Sequence, residues 1–273
     1  MNVIDLNINE ALTASAFTEQ SVKFDDLYSK NPIIKYKRKR VRDHLSKFIV
    51  PGQNILELNS GTGEDVVWLA QENCNVHATD ISVGMQRVLK QKIKTKGLEK
   101  LINTEICSFT ALENLKQRGP YDLIFSNFAG LNCTGDLDKV LLSFSKLLKP
   151  KGIVTLVILP KFCLWEFLMI FKGKAKTASR RLFSKKGVSA RVEQTYFTCW
   201  YYNPSYIIKY LKKDFELLSI EGLCTIVPPS YIENFAEKFP KLFSSLCKIE
   251  NAWKNKWPWK YIGDYYIISL QKK

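Results

Sequence analysis

Apolar residues in the middle of the chain follow two alternating spacings. Short apolar runs predict buried strands, and the stretches between them, where apolar residues recur every three or four positions, predict helices. The predicted strands are 53–58, 75–79, 102–106, 121–126 and 152–159, and the predicted helices are 63–72, 83–96, 110–118 and 137–148. This alternation indicates βαβ crossovers and a parallel sheet with helices on both faces.

The pattern changes on both sides of this central region. The flanking elements predicted there are helices 33–48 and 204–213, an apolar helix after residue 160, and strands 215–221 and 264–271. The chain accordingly divides into an N-terminal helical lid (1–52), a core (53–159), a basic and aromatic cap insertion (160–203), and the C-terminal part of the core with a second insertion at about 224–260 (204–273).

A glycine-containing turn joins the first predicted strand to the helix that follows. The strand ends near Glu57, and the turn reads Asn59-Ser60-Gly61-Thr62-Gly63. Glycines between a strand and a helix are typical of a nucleoside or phosphate site, because they let backbone approach the ligand closely. Asp80 ends the next strand, where a carboxylate can accept both ribose hydroxyls of an adenosine.

Two kinds of ligand fit this turn, a dinucleotide and S-adenosylmethionine. A dinucleotide site has the pattern G-x-G-x-x-G, but position 66 is Val, and Glu64 and Asp65 would repel a pyrophosphate. S-adenosylmethionine carries a sulfonium cation and no phosphate, so these acids cost little. An NAD-dependent oxidoreductase stays open as the other enzyme class.

With these residues the chain resembles the class I S-adenosylmethionine-dependent methyltransferases of the small-molecule type, over about residues 33–159 and 204–271. The motifs that carry the resemblance are Leu56–Gly63, Thr79–Met85, Tyr121–Asn127 and Lys149–Gly152. The resemblance implies a doubly wound α/β fold, Rossmann-like, with a seven-stranded, mostly parallel sheet, an antiparallel last pair of strands and an inserted substrate cap. It also implies the cofactor S-adenosyl-L-methionine and the product S-adenosyl-L-homocysteine.

The resemblance further implies a set of cofactor contacts. Asp80 would hold the ribose, Ile81 and Met85 would flank the adenine, and Ser126, Asn127 and Phe128 would face the transferred methyl group. The expected cofactor-binding residues are Glu57, Asn59, Gly61, Gly63, Asp80, Ile81, Met85, Ser108, Phe109, Ser126, Asn127 and Arg38. For Ile81, Met85 and Phe128, core packing is the alternative.

One position departs from the family's pattern. Asn59 stands where the family usually has Gly. Asn tolerates unusual backbone angles better than most residues, so we expect cofactor binding to survive. A non-catalytic binding protein on a methyltransferase scaffold is the alternative that this departure leaves open.

Methyl transfer from a sulfonium is a direct displacement, in which alignment of the reacting atoms can supply most of the catalysis. A general base is needed only if the acceptor must lose a proton first. The candidates are His44, Tyr28 and Tyr202, among which the sequence does not choose. Because the two insertions are rich in aromatic residues, we expect O-methylation of a small aromatic or lipid-like acceptor.

The net charge of the chain suggests other ligands than a small aromatic acceptor. The chain has 41 Lys and Arg against 26 Asp and Glu, a net charge of +15, which by itself suggests nucleic acid, a membrane surface or an acidic ligand. Nearly all the excess lies in residues 35–47 and 161–191. We interpret the second stretch as a helix with a solvated basic loop. Peripheral contact with a membrane or lipid is the alternative, since apolar residues precede the cations.

A nucleic-acid substrate is a further alternative, although residues 126–129 do not match the N-P-P-[FY] run used for base amines. Seven widely spaced cysteines without a C-x-x-C pair predict reduced thiols in a cytoplasmic enzyme and no metal site. The first residues lack the features of a signal peptide. The apolar stretch 153–171 is interrupted by Pro160, Lys161 and Glu166, so no membrane span is expected.

Overall fold

The computed structural model describes residues 6–173, 175–232 and 234–273. The strands are β1 (Asn54–Leu58), β2 (Asn75–Asp80), β3 (Ile102–Ile106), β4 (Tyr121–Ser126), β5 (Leu148–Ile158), β6 (Val188–Val192), β7 (Thr195–Cys199), β8 (Phe215–Leu223) and β9 (Tyr265–Lys272). Seven of them form one sheet in the order β3-β2-β1-β4-β5-β9-β8. β1 to β5 run parallel, and β9 is antiparallel to both of its neighbours. This topology confirms the predicted doubly wound sheet and its antiparallel last pair.

Helices cover both faces of the sheet and its carboxyl edge. They are α1 (Leu6–Gln20), α2 (Phe24–Ser29), α3 (Pro32–Leu45), α4 (Glu64–Gln71), α5 (Val83–Lys96), α6 (Leu137–Leu147), α7 (Leu164–Leu168), α8 (Ala175–Ser179), α9 (Pro204–Leu211), α10 (Phe235–Lys238) and α11 (Pro240–Trp253). Capping side chains and glycines determine where several of these helices begin and end. The Ser82 side chain accepts from Met85 N at the start of α5, and Gly97 ends that helix in the left-handed region.

The hydrophobic core has two parts, one on each face of the sheet. Because strand side chains alternate in direction, Leu56 and Leu58 of β1 face a cluster that includes residues of α6 and α9. Ile55 faces a second cluster, which includes residues of α3, α4 and α5. Burial on both faces holds the central strands rigidly, and their carboxyl ends form the floor of the site described below.

Two predicted helices differ from the observed structure. Residues 110–118 form only a 3-10 helix, Phe109–Asn114, in which Ala111 has non-helical angles. Pro120 directly precedes β4, and it lacks the N–H donor that a continued helix would need. The apolar helix expected after residue 160 is short, because α7 passes into a 3-10 turn that ends at Gly173 in the left-handed region.

Both insertions lie at the carboxyl edge of the sheet, because one follows the end of β5 and the other connects the end of β8 to the start of β9. The β6–β7 hairpin packs on α1, where Asn9 exchanges hydrogen bonds with the backbone of Thr198 and donates to Cys133 O. Within the described ranges, no helix combines the length and the apolar character needed to cross a membrane.

Candidate active site

A cavity lies at the carboxyl ends of β1, β2 and β4, beneath α1 and α2. Its floor consists of the turns that follow these strands, and its roof includes Thr13, Ala14 and Phe17 of α1 and Phe24 of α2. The further lining residues are Arg38, Glu57, Asn59, Ser60, Gly61, Thr62, Glu64, Asp65, Asp80, Ile81, Ser82, Met85, Cys107, Phe109, Asn127, Phe128, Gly130 and Cys133. The position agrees with the general rule for ligand sites in open α/β sheets.

Asp80 organises the glycine turn. Its Oδ2 accepts a hydrogen bond from Gly61 N at 2.8 Å, and its Oδ1 accepts one from Ser82 N at 2.8 Å. Burial raises the pKa of the Asp80 carboxyl above its usual range, against the effect of these backbone donors. Each oxygen keeps a lone pair, so the carboxylate is held by backbone with acceptor capacity left for a ligand.

Gly61 and Gly63 have different roles in this turn. Both have positive φ, +55° and +82°. Gly61 lines the cavity, whereas Gly63 does not. A Cβ at Gly63 would lie 2.2 Å from Leu89 Cδ1, so this glycine permits the close packing of α4 against α5. The expectation that Gly63 contacts the cofactor is therefore corrected to a packing role.

Asn59 has φ +45°, in the left-handed region that the family's usual glycine would also adopt easily. Its side chain connects the ends of β1 and β4, since Oδ1 accepts from Ser126 Oγ at 2.6 Å and Nδ2 donates to Asn127 O at 2.9 Å. A Cβ at Gly130 would lie 2.2 Å from Asn59 Cγ, so the missing side chain there makes room for the asparagine. Ser126 is engaged in this bridge and does not line the cavity, contrary to expectation.

Two buried carboxylates lie side by side at one end of the cavity. Asp65 accepts hydrogen bonds from Arg38 Nη1 at 2.6 Å, Arg42 Nε at 3.0 Å and Asn127 Nδ2 at 2.7 Å. Burial acts to raise the pKa of Asp65, but the two arginines together lower it. Asp65 is therefore ionised and neutralised by its neighbours.

Glu57, the second carboxylate, is 3% exposed, and its Oε2 has no hydrogen-bond partner among the described residues. Burial, and then the negative charge of Asp65, raise the pKa of Glu57 well above its usual range. A buried acceptor without a partner is costly, so this carboxyl suits a ligand that brings a donor or a positive charge.

Another part of the cavity lining is apolar. Ile81, Met85 and Phe109 line it, as expected for an adenine site. Ser108 does not line the cavity, because its Oγ hydrogen-bonds with Thr110 and donates to Glu10 Oε1 of α1 at 3.2 Å. Ser108 therefore holds the lid in place instead of facing the ligand.

None of the three predicted general bases lines the cavity. His44 is buried beside β8 and β9, with Nδ1 3.0 Å from Glu221 Oε1 and Nε2 2.8 Å from Ser269 Oγ. Tyr28 lies in a neighbouring cleft between α2, α3 and α4. The Tyr202 hydroxyl is buried and donates to Thr134 O. These placements correct the expectation that one of the three acts on the acceptor.

The aromatic residues of the insertions also lie elsewhere than expected. Phe197 packs beneath α1, and Tyr201 lies under the guanidinium of Arg181. Among the described residues, the aromatic side chains that line the cavity are Phe17, Phe24, Phe109 and Phe128. Phe17 and Phe24 belong to the N-terminal helices α1 and α2. A lid was predicted in this region, but its contacts with the cavity were not. The first insertion thus supports the lid and does not line the cavity.

Comparisons with known proteins agree with this geometry. Residues 55–152 match the profile of a family described as a methyltransferase domain. An uncharacterized protein of Methanocaldococcus jannaschii is 27% identical over 225 residues, which cover 78% of this chain and 82% of that protein.

Solved structures with low sequence identity share the fold. The 1,6-didemethyltoxoflavin-N1-methyltransferase of Burkholderia thailandensis, in complex with S-adenosylhomocysteine, is 12% identical, covers 100% of this chain and 92% of its own, and has a TM-score of 0.58. A SAM-dependent methyltransferase from Methanosarcina mazei is 14% identical over 84% of this chain and 96% of its own, with a TM-score of 0.57. The profile match over residues 55–152, the shared fold and the turn motifs support a class I S-adenosylmethionine-dependent methyltransferase.

Proposed function

We propose that the protein binds S-adenosylmethionine in this cavity and transfers its methyl group to a small aromatic or lipid-like acceptor, at an oxygen atom. The observation that carries the proposal is the roof over part of the cavity. Phe17 and Phe24 belong to this roof, Glu10 accepts a hydrogen bond from Ser108, and Asn9 bonds to Cys133 O and to Thr198 of the first insertion. A compact apolar molecule fits beneath such a roof, whereas a folded nucleic acid does not.

We infer the cofactor's orientation from the charged and the apolar lining residues. We place the adenine among Ile81, Met85 and Phe109, and the ribose hydroxyls on Asp80. The methionine part then lies at the charged end. Glu57 faces its cationic groups there, and the Arg38 donors not bonded to Asp65 are available for its carboxylate.

The methyl group is placed beside Asn127 and Phe128, at the end of β4. The acceptor oxygen forms a bond to the methyl carbon while the carbon–sulfur bond breaks, and S-adenosylhomocysteine leaves as a neutral thioether. The described lining residues include no histidine, lysine or tyrosine. We therefore propose catalysis by alignment, with an acceptor oxygen that ionises readily, such as a phenol or a carboxylic acid.

A prediction about pH follows from Glu57. Its raised pKa keeps the carboxyl neutral at lower pH, and a bound cation favours the ionised form. Affinity for S-adenosylmethionine should therefore rise as the pH increases through the pKa of Glu57. S-adenosylhomocysteine lacks the sulfonium charge, so its affinity should rise less. Calorimetric titrations of both ligands across the acid to neutral range measure the difference.

The substitution Glu57→Gln supplies the control for this prediction, because glutamine fills the same space without titrating. Asp65, Arg38, Arg42 and Asp80 also act on Glu57, and they are unchanged in the variant. The two ligands should then show parallel pH profiles. Parallel profiles already in the unaltered protein would contradict the placement of Glu57 beside the sulfonium.

Methyl transfer itself is tested with methyl-labelled S-adenosylmethionine and a cell extract separated into small organic compounds and RNA. We expect label in the organic fraction. Label in RNA would refute a small acceptor, and cofactor binding without labelled product in any fraction would favour the non-catalytic alternative. Hydrolysis of a labelled product under basic conditions distinguishes a methyl ester from an ether or an N-methyl group.

A further inference from the structure

One surface of the first insertion combines exposed apolar side chains with an excess of positive charge. Phe171 and Phe183 are 80% and 82% exposed, which is unusual for phenylalanine. The other exposed apolar residues of this insertion surface are Phe167, Leu168, Ile170 and Leu182. We call these six residues the exposed apolar patch.

Two ion pairs bring the two segments of the exposed apolar patch close together. Phe167 to Phe171 belong to α7 and the 3-10 turn after it, whereas Leu182 and Phe183 follow α8. Glu166 of α7 accepts hydrogen bonds from Arg180 Nε at 2.9 Å and from Arg181 Nη2 at 2.6 Å. The turn that carries Leu182 and Phe183 therefore lies beside the helix that carries the rest.

The patch is also fastened to the core. Arg181 is 3% exposed and donates to Asp264 Oδ1 at 2.7 Å and to Asp264 O at 2.9 Å, directly before β9. Burial acts against the charged form of Arg181, but Asp264 and Glu166 raise its pKa and keep it ionised. The apolar side chains are thus presented to solvent on a supported surface.

Positive charge surrounds the patch. Residues 167–192 contain eight Lys and Arg and no Asp or Glu. Among them, Lys172, Lys176, Lys185 and Lys186 are exposed. Apolar side chains that insert between lipids, next to lysines that attract anionic headgroups, form the combination with which peripheral proteins bind membranes.

From this juxtaposition we infer that the exposed apolar patch and its lysines dock the protein on an anionic membrane surface. The aliphatic side chains Leu168, Ile170 and Leu182 favour lipid over nucleic acid, since bases stack on aromatic faces and not on aliphatic groups. Docking would bring the carboxyl edge of the sheet, where this insertion lies, close to the lipid phase. The inference concerns binding only and does not depend on methyl transfer.

Vesicle co-sedimentation tests the inference with the full chain. The probes are phosphatidylcholine vesicles with and without a fraction of phosphatidylglycerol, at low salt. We expect the protein to pellet with the anionic vesicles and not with the neutral ones, and to be released by high salt. Equal binding to both, or to neither, would overturn the inference.

Two variants locate the binding surface. Phe171→Ser with Phe183→Ser removes the two most exposed aromatic residues, and Lys172→Glu with Lys185→Glu and Lys186→Glu reverses charge beside them. Each should reduce the vesicle partition coefficient about tenfold or more, since one basic residue at an anionic surface contributes about a fivefold change. Lys90→Glu with Lys100→Glu and Lys213→Glu changes three exposed lysines on other elements and supplies the charge-matched control.

Two other occupants of the patch would give distinct results. Binding to RNA that is lost in the lysine variant, together with no vesicle binding, would assign the surface to nucleic acid. Dimers in sedimentation analysis that dissociate in the Phe171→Ser, Phe183→Ser variant would assign it to a second copy of the chain. Either result without vesicle binding overturns the inference.

Discussion

Asp80→Ala should raise the dissociation constant of S-adenosylmethionine by about 100-fold or more. The substitution removes the proposed acceptor of two ribose hydroxyls, and hydrogen bonds to charged groups contribute about 1.5–3 kcal/mol each. It also leaves Gly61 N and Ser82 N without their side-chain acceptor. Isothermal titration calorimetry measures the constant, and thermal unfolding without ligand shows whether the variant is folded.

Two controls accompany this prediction. Asp80→Asn keeps one oxygen acceptor and should bind more weakly than the unaltered protein but more tightly than Asp80→Ala. Asp214→Ala removes an exposed carboxylate before β8, at the opposite edge of the sheet, and should leave affinity unchanged. A folded Asp80→Ala variant with unaltered affinity would show that the ribose is bound elsewhere.

Glu250→Ala should lower the free energy of unfolding by about 3–5 kcal/mol, a typical cost of removing one partner from a buried charged group. Glu250 is 1% exposed. Its carboxylate accepts hydrogen bonds from the backbone N–H groups of residues 224, 225, 226 and 227, at 2.8–3.0 Å. It also lies 3.2 Å from the Arg40 guanidinium, which is itself buried. The variant leaves the four N–H groups without their acceptor and removes one of the two carboxylates that pair with Arg40.

Urea unfolding followed by circular dichroism measures this effect. Lys248→Ala changes an exposed residue of the same helix and should shift the free energy by no more than about 0.5 kcal/mol. Glu250→Gln keeps one acceptor oxygen and should fall between the two. If Glu250→Ala were as stable as Lys248→Ala, the hydrogen bonds to residues 224–227 would contribute nothing to folding.

The sequence predicted the sheet well, because buried parallel strands are marked by short, nearly continuous apolar runs. The turn around Gly61 and the position of Asp80 also followed from local spacing, since a strand, a turn and a helix are adjacent in the chain. Asparagine was expected to tolerate unusual backbone angles at position 59, and Asn59 has a φ of +45°. The hydrogen bonds of Asn59 to Ser126 and Asn127 depend on the neighbouring strand β4. The sequence of the glycine turn alone does not predict these two partners.

The lid and the acceptor side of the site were predicted less well. The apolar residues of α1 do not gather on one side of the helix, so periodicity gave no reason to place Phe17 over the cavity. His44 lies on a predicted helix, but its partners Glu221 and Ser269 lie far along the chain. The aromatic insertions were expected to form the wall of the site, yet Phe197 packs beneath α1, Tyr201 lies under Arg181, and Phe171 and Phe183 are exposed. Such long-range packing is not encoded in local spacing.

Calorimetric titration of the 273-residue chain with S-adenosylmethionine shows whether the cavity binds this cofactor. We expect saturable binding to one site per chain, competition by S-adenosylhomocysteine and no heat of binding from NAD. No detectable binding of S-adenosylmethionine, or binding of NAD in its place, would contradict this expectation.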